Sequence, residues 1–180
     1  MTSVLWLLVG QGMLGASDVL INHEWRERLP QQATAATEQL LHGVRELLYA
    51  LVFAGLAWCL WHGTWAWLFA LVLLTEIVLT GWDFVQEDRT RVLSATERLM
   101  HLVLSMGGGA YCALLIPHLL QWAQQPTGLV VVHYGAVTWL LSGLAIGVFS
   151  WGVRDLQAGF RLRKKGNIAR QVPALIEASV

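Results

Sequence analysis

The chain has 180 residues, enough for one domain, yet 56% of them are apolar and only 13% charged, about half the charged share of a soluble domain. Twelve basic and twelve acidic side chains leave a formal net charge of +0, so no excess positive charge calls for nucleic acid as a partner. A mean hydropathy of +0.52 and ten tryptophans place the chain in lipid; this apolar content excludes disorder, and Cys59 and Cys112, both inside apolar runs, exclude a disulfide-stapled secreted module.

A membrane-crossing helix needs about 20 mostly apolar residues. Five stretches qualify, over 4–21, 36–62, 64–86, 95–120 and 129–153. The first lacks the preceding basic residue of a signal peptide, so it reads as a retained span. The second combines an apolar run from Leu47 with the helix-forming Thr34–Arg45 before it. The third starts at Thr64, an expected N-cap after Gly63. Ser94-Ala-Thr-Glu97 has capping-box spacing at the start of the fourth, and Pro117 is expected to disturb its far end. The predicted fold is therefore an all-α, five-span transmembrane bundle over 1–156, followed by a basic tail over 157–180.

Alternate threading puts Trp61–Thr64 and Gln121–Gly128 on the side of the N-terminus, and neither contains Lys, Arg, Asp or Glu. The basic residues Arg26, Arg28, Arg45, Arg89, Arg91, Arg98, Arg154 and those of the tail lie on or near the other side. The positive-inside rule assigns that side to the cytoplasm, with the N-terminus outside and the C-terminus inside, as in a bacterial inner membrane protein. Most tryptophans, among them Trp58, Trp61, Trp122 and Trp151, fall near span ends and read as aromatic belts.

Charges inside an apolar core are costly and mark function. Gln11, Asp18 and Asn22 share one face of the first span, and Glu38, His42 and Glu46 one face of the second. Glu76, Thr80, Asp83 and Glu87 share a face of the third, and Glu97, His101 and Ser105 one of the fourth. Glu76 stands roughly 16 Å from Trp65 along the helix, well inside a core about 30 Å thick. An ionised carboxylate at that depth needs a cation, a metal or a proton.

The motifs Glu38-Gln-Leu-Leu-His42 and Glu97-Arg-Leu-Met-His101 each present a carboxylate and an imidazole one turn apart. With Glu76, Asp83 or Asp18 from neighbouring helices they supply the inventory of a carboxylate-bridged dimetal centre in a helical bundle. Hard oxygen ligands with imidazoles and no thiolate suit two iron ions, with manganese or zinc as alternatives. The candidate ligands are Glu38, His42, Glu76, Asp83, Glu97 and His101, with Asp18, His23, Glu24, Glu46 and Glu87 as further candidates. Asn22-His23-Glu24 also reads more simply as loop, and Glu97 as a helix cap. This inventory resembles the di-iron carboxylate proteins, including the membrane-attached alternative oxidases. It departs from them in spacing: that family uses Glu-x-x-His, whereas both motifs here have three intervening residues, so no ligand role carries over position by position.

His62, His118 and His133 lie on the other side of the membrane and could pair with His42 and His101 around haem, but their separation along the helices disfavours it. Gly107-Gly-Gly109 permits close helix packing or the approach of a flat ligand. These features predict a metalloprotein with its site near the cytoplasmic face, an oxidoreductase acting on a quinol, acyl chain or isoprenoid that enters from membrane lipid. The alternatives are a metal-dependent hydrolase of lipid-linked substrates and a non-enzymatic haem-binding or proton-relay subunit. Substrate identity, redox partner and oligomeric state are not written in the sequence.

Overall fold

A computed structural model describes the backbone of residues 1–177 and the side chains of residues 1–166 other than Ala33. Five helices are long and apolar enough to cross a membrane: α1 (Thr2–Asp18), α2 (Ala36–Trp58), α3 (Thr64–Thr90), α4 (Ala95–Ala123) and α5 (Ala136–Glu177). They form a ring in which α1 packs on α4 and α5, and α3 on α2 and α4, while α2 and α5 make the most extensive pair. The chain is thus a multi-pass membrane protein built as an α-helical bundle. Outward-facing Leu71, Leu74, Val78 and Ile146 are exposed, as a surface solvated by lipid tails requires.

Several boundaries differ from the sequence expectation, each for a local reason. The span expected to reach residue 62 stops at Trp58, because Cys59–His62 is extended (β1) and pairs antiparallel with Gly128–Val131 (β2). The fifth span accordingly begins at Ala136 rather than 129 and runs without a break past residue 156. Helix α4 passes through Pro117 to Ala123, since a spanning helix tolerates proline where its surroundings satisfy the freed carbonyl. Thr64 does not cap α3; its amide donates to the Thr127 hydroxyl oxygen of the facing connection at 3.2 Å. Gly63 sits at φ +60°, and a Cβ there would lie 2.4 Å from Thr127 Oγ1. Some of the expected belt tryptophans are instead structural: Trp122 is buried, Trp58 Nε1 donates to Ser142 and Trp61 Nε1 to the Gly55 carbonyl.

The bundle has two unlike halves. Near the β1–β2 ribbon the interior is apolar, with Leu5, Leu8, Phe53, Leu56, Phe69 and Leu115 in one cluster. Toward the opposite end, where α1 meets α2 and α3 meets α4, the interior is filled by charged side chains. Glycines make the α2–α5 contact close: a Cβ on Gly43 would lie 2.9 Å from the Gly152 carbonyl, and one on Gly152 3.0 Å from that of Gly43. Gly152→Leu should therefore force the helices apart and lower the unfolding free energy in mild detergent by about 1–3 kcal/mol, as overpacking does. Gly10→Ala, where an added Cβ meets nothing within 4 Å, should be nearly neutral in the same measurement.

Candidate metal centre

Each helix brings its polar stripe to the same interior. Asp18, Asn22 and His23 come from the first helix and its extension, and Glu38, His42 and Arg45 from α2. Asp83 and Glu87 come from α3, and Glu97 and His101 from α4. All the carboxylates among these are at most 4% exposed. His42 Nε2 is 3.0 Å from Asp83 Oδ2 and 3.7 Å from Glu87 Oε1. On the other side of Glu87, its Oε2 lies 3.5 Å from His101 Nδ1, while His101 Nε2 is 3.3 Å from Asp18 Oδ2. His23 Nε2 stands 3.5 Å from Glu97 Oε1, and its ring centroid is 4.4 Å from that of His42. Phe84 stacks on His101 at 5.1 Å and fixes the plane of that ring.

Among the described residues, two groups of side chains have ligand atoms within metal-binding reach of one another: His23, Glu87, Glu97 and His101 in one, and Glu38, His42 and Glu87 in the other. Glu87 belongs to both. Its two oxygens, both ring nitrogens of His23 and Nε2 of His42 are buried without a hydrogen-bond partner among the described residues. A buried polar atom left unpaired costs free energy, so such atoms in a native site call for a missing partner. Ions held in the two groups would take one nitrogen of each imidazole and the Glu87 oxygens, and a carboxylate with one oxygen toward each group can bridge two ions.

His23 was the residue that sequence periodicity placed least well. At 100° per residue it stands about 140° from Asp18, off the stripe of the first span. The chain, however, widens into a π-helical stretch over Val19–Arg26, with the Glu27 amide bonded five residues back to the Asn22 carbonyl at 2.9 Å. The wider turn brings residues five apart onto one face, and π-bulges recur at functional sites for that reason. The Asn22 amide then donates to Asp18 Oδ1 at 2.6 Å and holds that carboxylate toward the histidines.

Arg91, just past the end of α3, had no sequence signal beyond its charge. It donates to Glu38 at 2.8 Å and to Glu97 at 2.6 Å, and lies 3.6 Å from Glu87. Burial opposes its charged form, but the hydrogen bonds it donates to Glu97 and Glu38 outweigh burial and raise its pKa. The same contacts show what Glu97 does: Ser94 Oγ caps α4 by accepting from the Glu97 amide, while the Glu97 carboxylate points away from the cap into the cluster.

The remaining candidates are placed elsewhere. Glu76 accepts from Thr80 at 2.6 Å and from Arg45 at 3.5 Å, and belongs to neither ligand group. Arg45 also holds Asp83, at 2.5 Å. Glu24 pairs with Arg154, which also holds Asp155. Glu46 is buried beside the α2–α5 contact, with Oε2 unpartnered. Ser105 is exposed. His118 contacts the Met1 amino nitrogen at 3.0 Å and His133 accepts from the Gly135 amide; with His62 on β1, they lie near the ribbon, at the opposite end from the carboxylates.

Removing Arg91 should strand three buried carboxylates. Arg91→Leu should lower the stability of metal-free protein by roughly 3–5 kcal/mol, measured by denaturant unfolding, and added divalent metal should recover part of the loss. Compared with known protein families, curated proteins and solved structures, the chain is significantly similar to none.

Proposed function

We propose that the chain is a membrane metalloenzyme that holds two metal ions bridged by Glu87 and oxidises or reduces a lipid-soluble substrate. Charge balance is the observation that carries this reading. Among the described residues the ion pairs link six buried acids (Asp18, Glu38, Glu76, Asp83, Glu87 and Glu97) into one network with two guanidinium groups, Arg45 and Arg91, and three histidines, through which alone Asp18 is joined. With neutral histidines the network carries four uncompensated negative charges. That deficit is prohibitive in a low-dielectric interior, and two divalent cations match it. Carboxylates and imidazoles without thiolate favour iron, then manganese. The Glu-x-x-x-His spacing sends His101 to one ion and His42 to the other.

Each side chain has a distinct task under this reading. Glu87 sets the separation of the ions. Glu38 and His42 complete one site, and His23, Glu97 and His101 the other. Asp18 faces His101 Nε2 while Nδ1 faces Glu87, so it would serve as an outer carboxylate that orients that ring and raises its basicity. Bound iron would supply redox chemistry, and the apolar bundle would exclude water from it.

The test is metal content of protein purified without chelators. Wild type should hold two ions per chain, His42→Ala about one, His101→Ala about one, and Glu87→Ala close to none. Equal loss in all three variants would reject a shared Glu87, and a wild type without metal would reject the centre altogether. Stoichiometric zinc in place of iron would replace the oxidoreductase by the metal-dependent hydrolase, in which a metal-bound water is the nucleophile.

The basic end of the bundle, with the metal centre beneath it, faces the cytoplasm of a bacterial inner membrane in this reading. The charge asymmetry of the connections supports it. A membrane-impermeant thiol reagent applied to intact cells should label Gln125→Cys, exposed beyond α4, and leave Asp88→Cys near the end of α3 unlabelled. The reverse pattern would invert the orientation.

A further inference from the structure

Between the charged cluster and the apolar core lies a cavity of about 580 Å³, lined by all five helices. An engineered cavity of about 150 Å³ suffices to bind benzene, so this one accommodates a far larger molecule. His23, His42 and His101 stand at one end of it, and its walls are mostly aliphatic and aromatic. Glycines widen it: Gly15, Gly109, Gly143 and Gly147 all line it, and a Cβ on any of them would meet nothing within 4 Å.

Three carboxylates, Asp18, Glu46 and Glu76, line this cavity without belonging to either ligand group; Asp18 is turned to His101 and Asn22 and Glu46 lies against the α2–α5 contact, whereas Glu76 is held by Thr80 and Arg45. Thr80 and Arg45 both bond its Oε1, so Oε2 is the oxygen left to accept from a further donor. Arg45 is already shared between Glu76 and Asp83, so the local balance is negative. A second anion, such as a fatty acid carboxylate, is disfavoured there, whereas a hydrogen-bond donor is suited to it. Arg45 and Asp83 also link Glu76 to His42 at the metal centre.

We propose that the cavity binds an apolar molecule bearing one or more hydroxyl groups, a phenol or long-chain alcohol, with a hydroxyl donating to Glu76. As the substrate of the metal centre this molecule rests on the preceding reading; as a ligand of the cavity it does not.

Binding can be measured by equilibrium dialysis of the intact protein in lipid nanodiscs, with empty nanodiscs subtracted. The probes are a decyl-substituted benzoquinol, dodecanol and dodecanoate. Both hydroxyl compounds should bind, and the tighter of them shows whether a ring or a chain fills the cavity. Dodecanoate should bind at least about tenfold more weakly. Glu76→Gln should weaken the hydroxyl compounds about tenfold, the worth of a hydrogen bond to a charged group, and should narrow their advantage over dodecanoate. Gly147→Leu and Gly109→Leu, on different helices, should each weaken all three probes by filling the space, while bound metal and melting temperature stay near wild type. Dodecanoate binding as tightly as dodecanol, or unchanged affinities in both leucine variants, would overturn the proposal, as would failure of both hydroxyl compounds to bind. Metal analysis of the same samples separates the two readings: two ions without probe binding defeats the cavity proposal alone, and probe binding without metal defeats the dimetal centre alone.

Discussion

The structure turns on one connected cluster of six buried carboxylates, Asp18, Glu38, Glu76, Asp83, Glu87 and Glu97, in one end of a lipid-embedded bundle. In water each would be solvated at no cost; inside a protein each needs a positive partner or a proton. Arg91 answers part of that demand from the α3–α4 connection, where it holds Glu38 of α2 and Glu97 of α4 against the end of α3. Arg45 answers another part from α2 by holding Asp83 and Glu76 of α3. Three helices are thereby tied together through charges. The orphaned atoms of Glu87, His23 and His42 mark where that compensation stops short.

Helix packing in lipid cannot rely on expulsion of water, so it depends on close fit and on polar contacts. Both are present. Gly43 and Gly152 bring α2 and α5 into backbone contact, and the short β1–β2 ribbon ties the α2–α3 connection to the α4–α5 connection. The ribbon end is thus an apolar, hydrogen-bonded clasp. A rigid clasp at one end and an ion-paired cluster at the other leave the middle to the cavity, where helices held apart at their ends need not close on one another.

That arrangement suits chemistry on a lipid-soluble molecule. Three histidines of the ligand groups, His23, His42 and His101, stand at one end of the cavity, and its walls elsewhere are mostly apolar. Glu76 sits between the two, joined to His42 through Arg45 and Asp83. A carboxylate at this depth is expensive to retain unless it is used.

Composition and period determined much of this by themselves. Five apolar runs dictate five spans, because only a helix satisfies its own backbone in lipid. The four-residue spacing of Glu38 and His42, and of Glu97 and His101, placed those pairs on single faces, since an α-helix returns after about 3.6 residues. Other features depend on contacts between distant segments and leave no periodic trace. The ribbon of Cys59–His62 and Gly128–Val131 looked like span ends, because strand pairing is decided by the partner strand. Arg91 looked like one loop charge among several, because its value comes from carboxylates 53 and 6 residues away. Glu76 shared a stripe with Asp83 and Glu87, but depth along the helix, which a helical wheel discards, set it apart from them. His23 fell off its stripe in any α-helical projection, and only the π-helical stretch, which depends on the local backbone rather than on residue period, turned it into the site.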